Sequence, residues 1–130
     1  MAEGVMRAGL PGFELSSAGT HALVGAPADE TARALMQARG LPIDGHRARQ
    51  LDAGLCQAAD LILVMESAQR QWIQQRHPES TGKVFRLTEQ LRVDVPDPYR
   101  RTEASFQTAL ALIDQGAQSW AERISRVTLA

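Results

Sequence analysis

Hydrophobic and polar positions along the chain predict short strands separated by helices. Residues Phe13–Ser17 alternate apolar and polar side chains, which is typical of a strand. The run Asp60–Met65 is short and almost continuously apolar, which is typical of a strand that is covered on both faces. Val84–Leu87 is the next strand candidate. We therefore expect three strands.

Helical periodicity fills the segments between and after these strands. A helix is predicted from Asp29, with Gly40 at its C-terminal end. A second helix is predicted from residue 67 to about residue 76, where a His-Pro pair stops it. The last helix has an apolar stripe at spacings of four and three, formed by Phe106, Leu110, Ile113, Ala117, Trp120 and Ile124.

This order of elements predicts an α/β fold with three layers, a parallel sheet and flanking helices. No repeat or linker divides the chain, so residues 1–130 are expected to form a single domain. Ligands of such folds bind beyond the carboxyl ends of the strands. Residues 17–21, residues 65–66 and the loop through Asp97 all lie at that edge, so they are predicted to surround one site.

Charge and composition narrow the classes of partner. The net charge of -1 gives no electrostatic basis for binding nucleic acid or an anionic membrane. The longest apolar run, Leu61–Met65, is too short to span a bilayer, so no membrane insertion is expected. A single cysteine, Cys56, excludes an intrachain disulfide and fits a reducing compartment. We therefore expect a cytoplasmic protein.

The motif Asp97-Pro98-Tyr99-Arg100 offers the first candidates for chemistry. Asp97 could be a general acid that protonates a leaving oxygen. It could equally be an ordinary turn residue, because Asp-Pro pairs are common in turns. Tyr99 could form an aromatic wall beside a flat substrate or could be a partly buried loop tyrosine. Taken alone, the motif favours the turn interpretation.

The cysteine and the histidines give weaker signals. Thiolate phosphatases need an arginine six positions after the cysteine, but Ile62 stands six positions after Cys56. A structural role for Cys56 is therefore predicted. His21 and His77 have no partner at metal-ligand spacing. His46 is followed closely by Arg47 and Arg49, which is typical of a solvated surface segment or of a histidine that a backbone carbonyl satisfies. No metal site is expected.

Four motifs together resemble bacterial low-molecular-weight protein tyrosine phosphatases, particularly those linked to capsule and exopolysaccharide export. They are residues 17–20 (Ser-Ala-Gly-Thr), 46–51 (His-Arg-Ala-Arg-Gln-Leu), 59–66 and 96–100 (Pro-Asp-Pro-Tyr-Arg). Each motif is weak alone, but all four occur in order, at the family's spacing, over almost the whole chain. The resemblance reverses the preference at Asp97 and favours a general acid.

The resemblance implies a role for each matching residue. Asp97 matches the acid that protonates the tyrosyl oxygen and then deprotonates the water that hydrolyses a phosphocysteine intermediate. Tyr99 matches the aromatic wall beside the phenyl ring. Ser17 and His46 match residues that hydrogen-bond an asparagine of the phosphate loop and hold that loop in shape.

The resemblance also extends to the rim of the site and to the fold. His21 and Leu23 fall in the variable rim that tunes substrate choice. The family fold is a small parallel sheet with strand order 2-1-3-4, flanked by helices. The chemistry that it implies needs no cofactor.

One part of the family pattern is absent from these 130 residues. The family begins with a strand and a Cys-x5-Arg-Ser/Thr-Pro loop, followed by a helix that starts like Met1-Ala2-Glu3-Gly4. We therefore expect that the first strand is missing, and that this N-terminally truncated chain is inactive as it stands. Either Met1 is an internal methionine of a longer protein, or the chain is a genuinely shortened relative.

The residues and the resemblance leave three candidate functions for the protein. The resemblance implies a phosphatase that acts on a phosphotyrosine protein, and its expected substrate is an autophosphorylating bacterial tyrosine kinase of polysaccharide export. A non-catalytic binding or interaction module is the alternative if the loop is truly absent. An arsenate reductase of related fold is disfavoured, because a disulfide relay needs cysteines besides Cys56.

Overall fold

Three helices precede the first strand, and strands and helices alternate after it. The structure, a computed structural model, describes residues 1–98 and 102–129. Short 3₁₀ helices span Pro78–Lys83 and Glu89–Leu91. The longer elements are α1 (Ala2–Gly9), α2 (Glu30–Ala38), α3 (Ala53–Ala58), β1 (Ile62–Val64), α4 (Ser67–Arg76), β2 (Val84–Arg86) and α5 (Glu103–Leu129).

The two strands pair in parallel and are joined by the crossover helix α4. Their register places Ile62 opposite Val84 and Val64 opposite Arg86. The predicted α/β class with a parallel sheet is therefore confirmed. β1 and β2 are neighbours, as the third and fourth strands are in the order 2-1-3-4.

The predicted strand over Phe13–Ser17 is wrong for this structure, because no strand among the described residues pairs with it. Arginine side chains satisfy its carbonyl groups instead. Arg7 Nη2 donates to the carbonyl of Leu15 at 3.0 Å, and Arg49 Nε donates to the carbonyl of Ser17 at 2.9 Å. Alternation alone cannot reveal whether a strand has a partner.

The helices begin where the sequence predicts and for local reasons. Asp29 caps α2 by accepting a hydrogen bond from the Thr31 amide at 2.8 Å. Gly40 adopts a φ of +73° after the end of that helix, a left-handed conformation that favours glycine. α4 ends at Arg76, directly before the His-Pro pair. These predictions are confirmed.

The larger part of the core lies between α1, α5 and the residues that follow the strands. The apolar stripe predicted on α5 is confirmed, because five of its six residues are buried and Ile124 is partly buried. Met6 of α1 is buried against the same cluster. Leu87 and Val95 join it from the loop after β2, and each exposes no more than 2% of its surface. This loop is therefore part of the core.

A glycine in α5 permits close contact with that loop. A Cβ added at Gly116 would lie 2.6 Å from the carbonyl oxygen of Leu87 and 2.8 Å from its Cγ. Alanine usually stabilises a helix by about 1 kcal/mol relative to glycine, but overpacking costs roughly 1–3 kcal/mol. We therefore expect Gly116→Ala to lower the free energy of unfolding, measured by chemical denaturation, despite its higher helix propensity.

Gly54→Ala in α3 is the matched control for this prediction. The nearest atom to a Cβ added at Gly54 is Asp52 Oδ1 at 3.5 Å, an ordinary contact. This variant should be as stable as the parent or slightly more stable. A Gly116→Ala protein that gains stability as Gly54→Ala does would contradict the close packing of α5 on Leu87.

Candidate active site

The loop that carries Asp97 is attached to the carboxyl ends of both strands. The amide of Leu87, which follows β2, donates to the carbonyl of Val64 in β1 at 2.8 Å. Further along, the amide of Val95 donates to the carbonyl of Met65 at 2.8 Å. Asp97 therefore lies two residues beyond a backbone link to the end of β1, at the edge where the sequence predicts a site.

The turn from β1 into α4 is fixed by a capping box. The Glu66 side chain accepts from the backbone of Gln69, and Gln69 Oε1 accepts from the Glu66 amide at 3.0 Å. The same Oε1 atom accepts from the Met65 amide at 2.9 Å. This turn gives the Asp97 loop a rigid neighbour.

Asp97 lies beside the first turn of α5. A cavity of about 220 Å³ opens there, and Asp97 is exposed at its edge. Thr102 caps α5, because its Oγ1 accepts from the Ser105 amide at 3.2 Å. Tyr99, the predicted aromatic wall, lies outside the described residues. The cavity is lined by Pro96, Asp97, Pro98, Ala104, Ser105 and Thr108.

Ser17 and His46, the predicted loop-supporting residues, meet at a carboxylate in the first turn of α1. Ser17 Oγ donates to Glu3 Oε1 at 3.3 Å, and His46 Nδ1 lies 3.8 Å from Glu3 Oε2. Arg7 Nη2 lies 3.8 Å from the first of these oxygens. The structure thus brings together two residues that are 29 positions apart in the sequence. Their role in supporting a phosphate loop stays a prediction.

Sequence reasoning missed Glu3 as a site residue. Glu3 lies in the first turn of a helix that the Ser17 and His46 motifs both reach. The sequence gives no sign of this, because only the fold brings the two motifs together. Glu3 also lines a larger cavity of about 580 Å³ between α1 and residues 40–46. This cavity shares no lining residue with the one beside Asp97.

His21 and Leu23 lie on an exposed turn that follows Ser17. The His21 ring packs edge-on against Trp72 of α4 with 5.7 Å between ring centroids. Leu23 is 64% exposed. The Gln50 side chain holds the turn from both sides, since its Nε2 donates to the Thr20 carbonyl at 2.7 Å and its Oε1 accepts from the Ala22 amide at 3.0 Å. Exposure and a fixed backbone suit the predicted rim, whose role in substrate choice stays a prediction.

Four charged residues form a network at the carboxyl ends of the strands, which sequence reasoning also missed. Arg86 Nε donates to Glu89 Oε2 at 3.0 Å, and Arg86 Nη1 donates to Asp94 Oδ1 at 3.1 Å. Arg70 of α4 donates to the other oxygen of Glu89. The hydrogen bond from Arg70, followed by that from Arg86, holds the pKa of Glu89 below its usual value. The network therefore persists as ion pairs at neutral pH.

Cys56 is buried beside β1 and β2 and does not resemble a nucleophile. It is fully buried beside Val64, Ile73 and Val84. Burial raises the pKa of the Cys56 thiol, which disfavours the reactive thiolate. The predicted structural role is confirmed.

The described part of the chain contains no group of side chains that could bind a metal ion. Among residues 1–98 and 102–129, no three His, Cys, Asp or Glu side chains are grouped as a metal site requires. None of the helices in the same residues combines the length and apolar character needed to cross a bilayer.

Comparison with known proteins decides the family. Residues 1–128 match the model of the low molecular weight phosphotyrosine protein phosphatase family. The chain belongs to this family. It is 48% identical over 124 residues to a probable low molecular weight protein-tyrosine-phosphatase, EpsP, of Ralstonia nicotianae, covering 95% of this chain and 86% of that relative. The phosphatase Etp of Escherichia coli K12 is 37% identical over 125 residues, covering 95% of this chain and 84% of Etp.

Solved structures of low molecular weight phosphatases share the fold. Wzb of Vibrio vulnificus, in complex with benzylphosphonate, superposes with a TM-score of 0.90 at 36% identity. The match covers 94% of this chain and 87% of the Wzb chain. The resemblance drawn from the four sequence motifs is therefore confirmed at the level of family and fold.

Proposed function

We propose that this chain supplies the general acid and the supporting scaffold of a protein tyrosine phosphatase. The observation that carries the proposal is the attachment of the Asp97 loop to the carboxyl ends of both strands through Leu87 and Val95. This is the edge at which an α/β fold binds its ligands. A carboxylate held there and exposed to a cavity can give a proton to a leaving oxygen.

The proposed reaction has two steps, and its nucleophile comes from the family's Cys-x5-Arg loop. The loop thiolate attacks phosphorus, a P–S bond forms, and the P–O bond to tyrosine breaks as Asp97 protonates the tyrosyl oxygen. A water molecule then attacks phosphorus, and the Asp97 carboxylate accepts its proton. The P–S bond breaks, which releases inorganic phosphate and regenerates the thiolate. Loop amides and the loop arginine stabilise the charge on the phosphoryl oxygens.

Glu3, Ser17 and His46 support this loop in the proposal. In the family pattern the phosphate loop leads directly into the helix that corresponds to α1. A carboxylate in the first turn of that helix, in contact with Ser17 and near His46, ties the helix start to two other segments. This arrangement would fix the direction in which the chain leaves the loop.

The proposed substrate is phosphotyrosine on a protein. Vibrio vulnificus Wzb was solved with benzylphosphonate, which joins an aromatic ring to a phosphonate as phosphotyrosine joins one to a phosphate. The rim at His21 and Leu23 and the ring of Tyr99 would contact the substrate beside its phosphate. We further propose that the physiological substrate is a cytoplasmic, autophosphorylating bacterial tyrosine kinase of polysaccharide export, following the resemblance of the four motifs.

The test uses a form of the protein that we name the loop-bearing form. In it, the 130 residues are preceded by the strand and Cys-x5-Arg-Ser/Thr-Pro loop of the family pattern, taken from the Ralstonia relative. We expect this form to release phosphate from a phosphotyrosine peptide and to leave the matched phosphoserine peptide largely intact. A folded loop-bearing form that hydrolyses neither peptide would contradict the proposed function.

A further inference from the structure

The backbone just before Asp97 is held by the side chain of Asp94. Asp94 Oδ1 accepts a hydrogen bond from the Ser67 amide at 3.0 Å and another from Ser67 Oγ at 3.2 Å. The same oxygen accepts from Arg86 Nη1 at 3.1 Å. Ser67 is the first residue of α4, so the carboxylate also lies at the positive end of a helix dipole. One carboxylate thus joins the loop, the end of β2 and the start of α4.

Arg86 is itself fixed on its other sides. Its Nε donates to Glu89 at 3.0 Å, and Glu89 is bound in turn by Arg70. Its backbone carbonyl accepts from Trp120 Nε1 of α5 at 3.2 Å. The side chain of Arg86 is 17% exposed, whereas that of Asp94 is 41% exposed, so the pair is fixed mainly from the side of Arg86. Asp94 therefore has a rigid partner.

The short segment between Asp94 and Asp97 can transmit this restraint. Val95 is buried and its amide is bound to Met65. Pro96 has a fixed φ angle, and a residue that precedes a proline, as Val95 and Asp97 both do, has restricted backbone freedom. The side-chain anchor at Asp94 and the backbone anchor at Val95 therefore act together on the short, stiff segment that carries Asp97.

Asp97 needs such a restraint because it is exposed. Packing around an exposed side chain does little to fix its direction. Proton transfer nevertheless requires the carboxyl group to lie within about 2.6–3.2 Å of the leaving oxygen. Because this distance is short, the placement of the backbone that carries the general acid contributes to its precision.

We propose that Asp94, bound to Arg86 and to the start of α4, is a positioning residue that sets the place of the general acid Asp97. This inference rests on the proposed function, because it has meaning only if Asp97 is the acid. Asp94 does not touch the reacting atoms in this account. It acts through the three residues that follow it.

The restraint is present over the pH range in which such an enzyme would be assayed. Burial alone would raise the pKa of Asp94, but the bonds from Arg86 and Ser67 outweigh it and hold that pKa below its usual value. Asp94 is therefore ionised near neutral pH. The ion pair weakens only when the pH falls through that lowered pKa.

The test compares Asp94→Ala and Asp94→Asn in the loop-bearing form on two substrates. One is a phosphotyrosine peptide, whose leaving oxygen needs a proton. The other is the phosphate ester of an acidic phenol, whose leaving oxygen needs none. Because small misplacements at a reacting centre cost up to 10²-fold, we expect kcat/KM of Asp94→Ala on phosphotyrosine to fall on the order of tenfold. Asp94→Asn, which keeps an oxygen acceptor, should fall less.

The expected signature is selective. On the acidic phenol ester, Asp94→Ala should keep its kcat/KM, because that ratio reports the first step, in which this leaving oxygen needs no proton, and not the hydrolysis of the phosphocysteine that both substrates share. Asp114→Asn is the matched control, since Asp114 accepts from Arg39 at 2.8 Å on an exposed face of α5 and α2, and it should behave as the parent. Equal losses on both substrates, or no loss on phosphotyrosine, would overturn the inference.

Asp97→Asn, measured in parallel, separates this inference from the proposed function. If Asp97→Asn loses phosphotyrosine turnover and Asp94→Ala does not, the positioning role fails while the acid remains. If Asp97→Asn keeps full turnover, the acid itself is wrong, and the positioning role fails with it. Thermal unfolding of each variant shows whether a loss of activity results from unfolding. A loss that affects only one of the two substrates cannot result from unfolding, because an unfolded protein would lose activity on both.

Discussion

Asp97→Asn should lower the turnover of phosphotyrosine by the loop-bearing form about 10²–10⁴-fold, the range that positioned proton transfer contributes. Asparagine matches aspartate in shape but cannot give a proton to the tyrosyl oxygen. Without it, the tyrosine must leave as a phenolate, and the water of the second step loses its base. Steady-state kinetics with a phosphotyrosine peptide measure the effect, which should fall on kcat rather than on KM.

Asp60→Asn is a suitable control for this measurement. Asp60 is an exposed aspartate that precedes β1, at the opposite end of the strand from the proposed site. Its change to asparagine removes the same charge and should leave kcat unaltered. If Asp97→Asn retained the parent rate while Asp60→Asn did too, Asp97 would have no part in the mechanism.

The 130 residues alone should show no turnover of p-nitrophenyl phosphate. This prediction has the largest expected effect, since it concerns the whole of the activity. The sequence holds no Cys-x5-Arg, and its one thiol is buried with a raised pKa. A thiol in this state is a poor nucleophile, and no arginine stands six positions after it to bind phosphate.

The control for the isolated chain is Cys56→Ala. Both proteins should give the rate of buffer alone at equal concentration, and addition of the family loop should restore activity to a protein that still carries Cys56→Ala. Turnover by the 130 residues that disappears in Cys56→Ala would mean that Cys56 is the nucleophile after all. That result would remove the reason for placing the nucleophile in a separate loop.

Local sequence signals predicted most of the helices and both described strands. The stripe on α5, the cap at Asp29 and the apolar run before Met65 each encode their structure within one continuous stretch of sequence. Strand formation at Phe13–Ser17 could not be decided in this way, because a strand requires a partner and alternation does not reveal one. The arginines that bind its carbonyls come from α1 and from residue 49.

A residue of the candidate site could be predicted from the sequence only where it belongs to a recognisable motif. Asp97, Ser17 and His46 were found from their motifs, whereas Glu3 and Asp94 were not. Their partners are distant in sequence, as Glu3 is from His46 and Asp94 is from Ser67, and only the fold brings them together. In the sequence, Asp94 is one more aspartate in a loop, and nothing there indicates a role in positioning Asp97.

The most direct test of the account is the dependence of rate on the acidity of the leaving phenol. We would measure kcat/KM of the loop-bearing form and of its Asp97→Asn variant on a series of aryl phosphates. If Asp97 protonates the leaving oxygen, the parent rate should vary little along the series, while the variant rate should fall steeply as the phenol becomes less acidic. Parallel dependences in the two proteins would contradict the account.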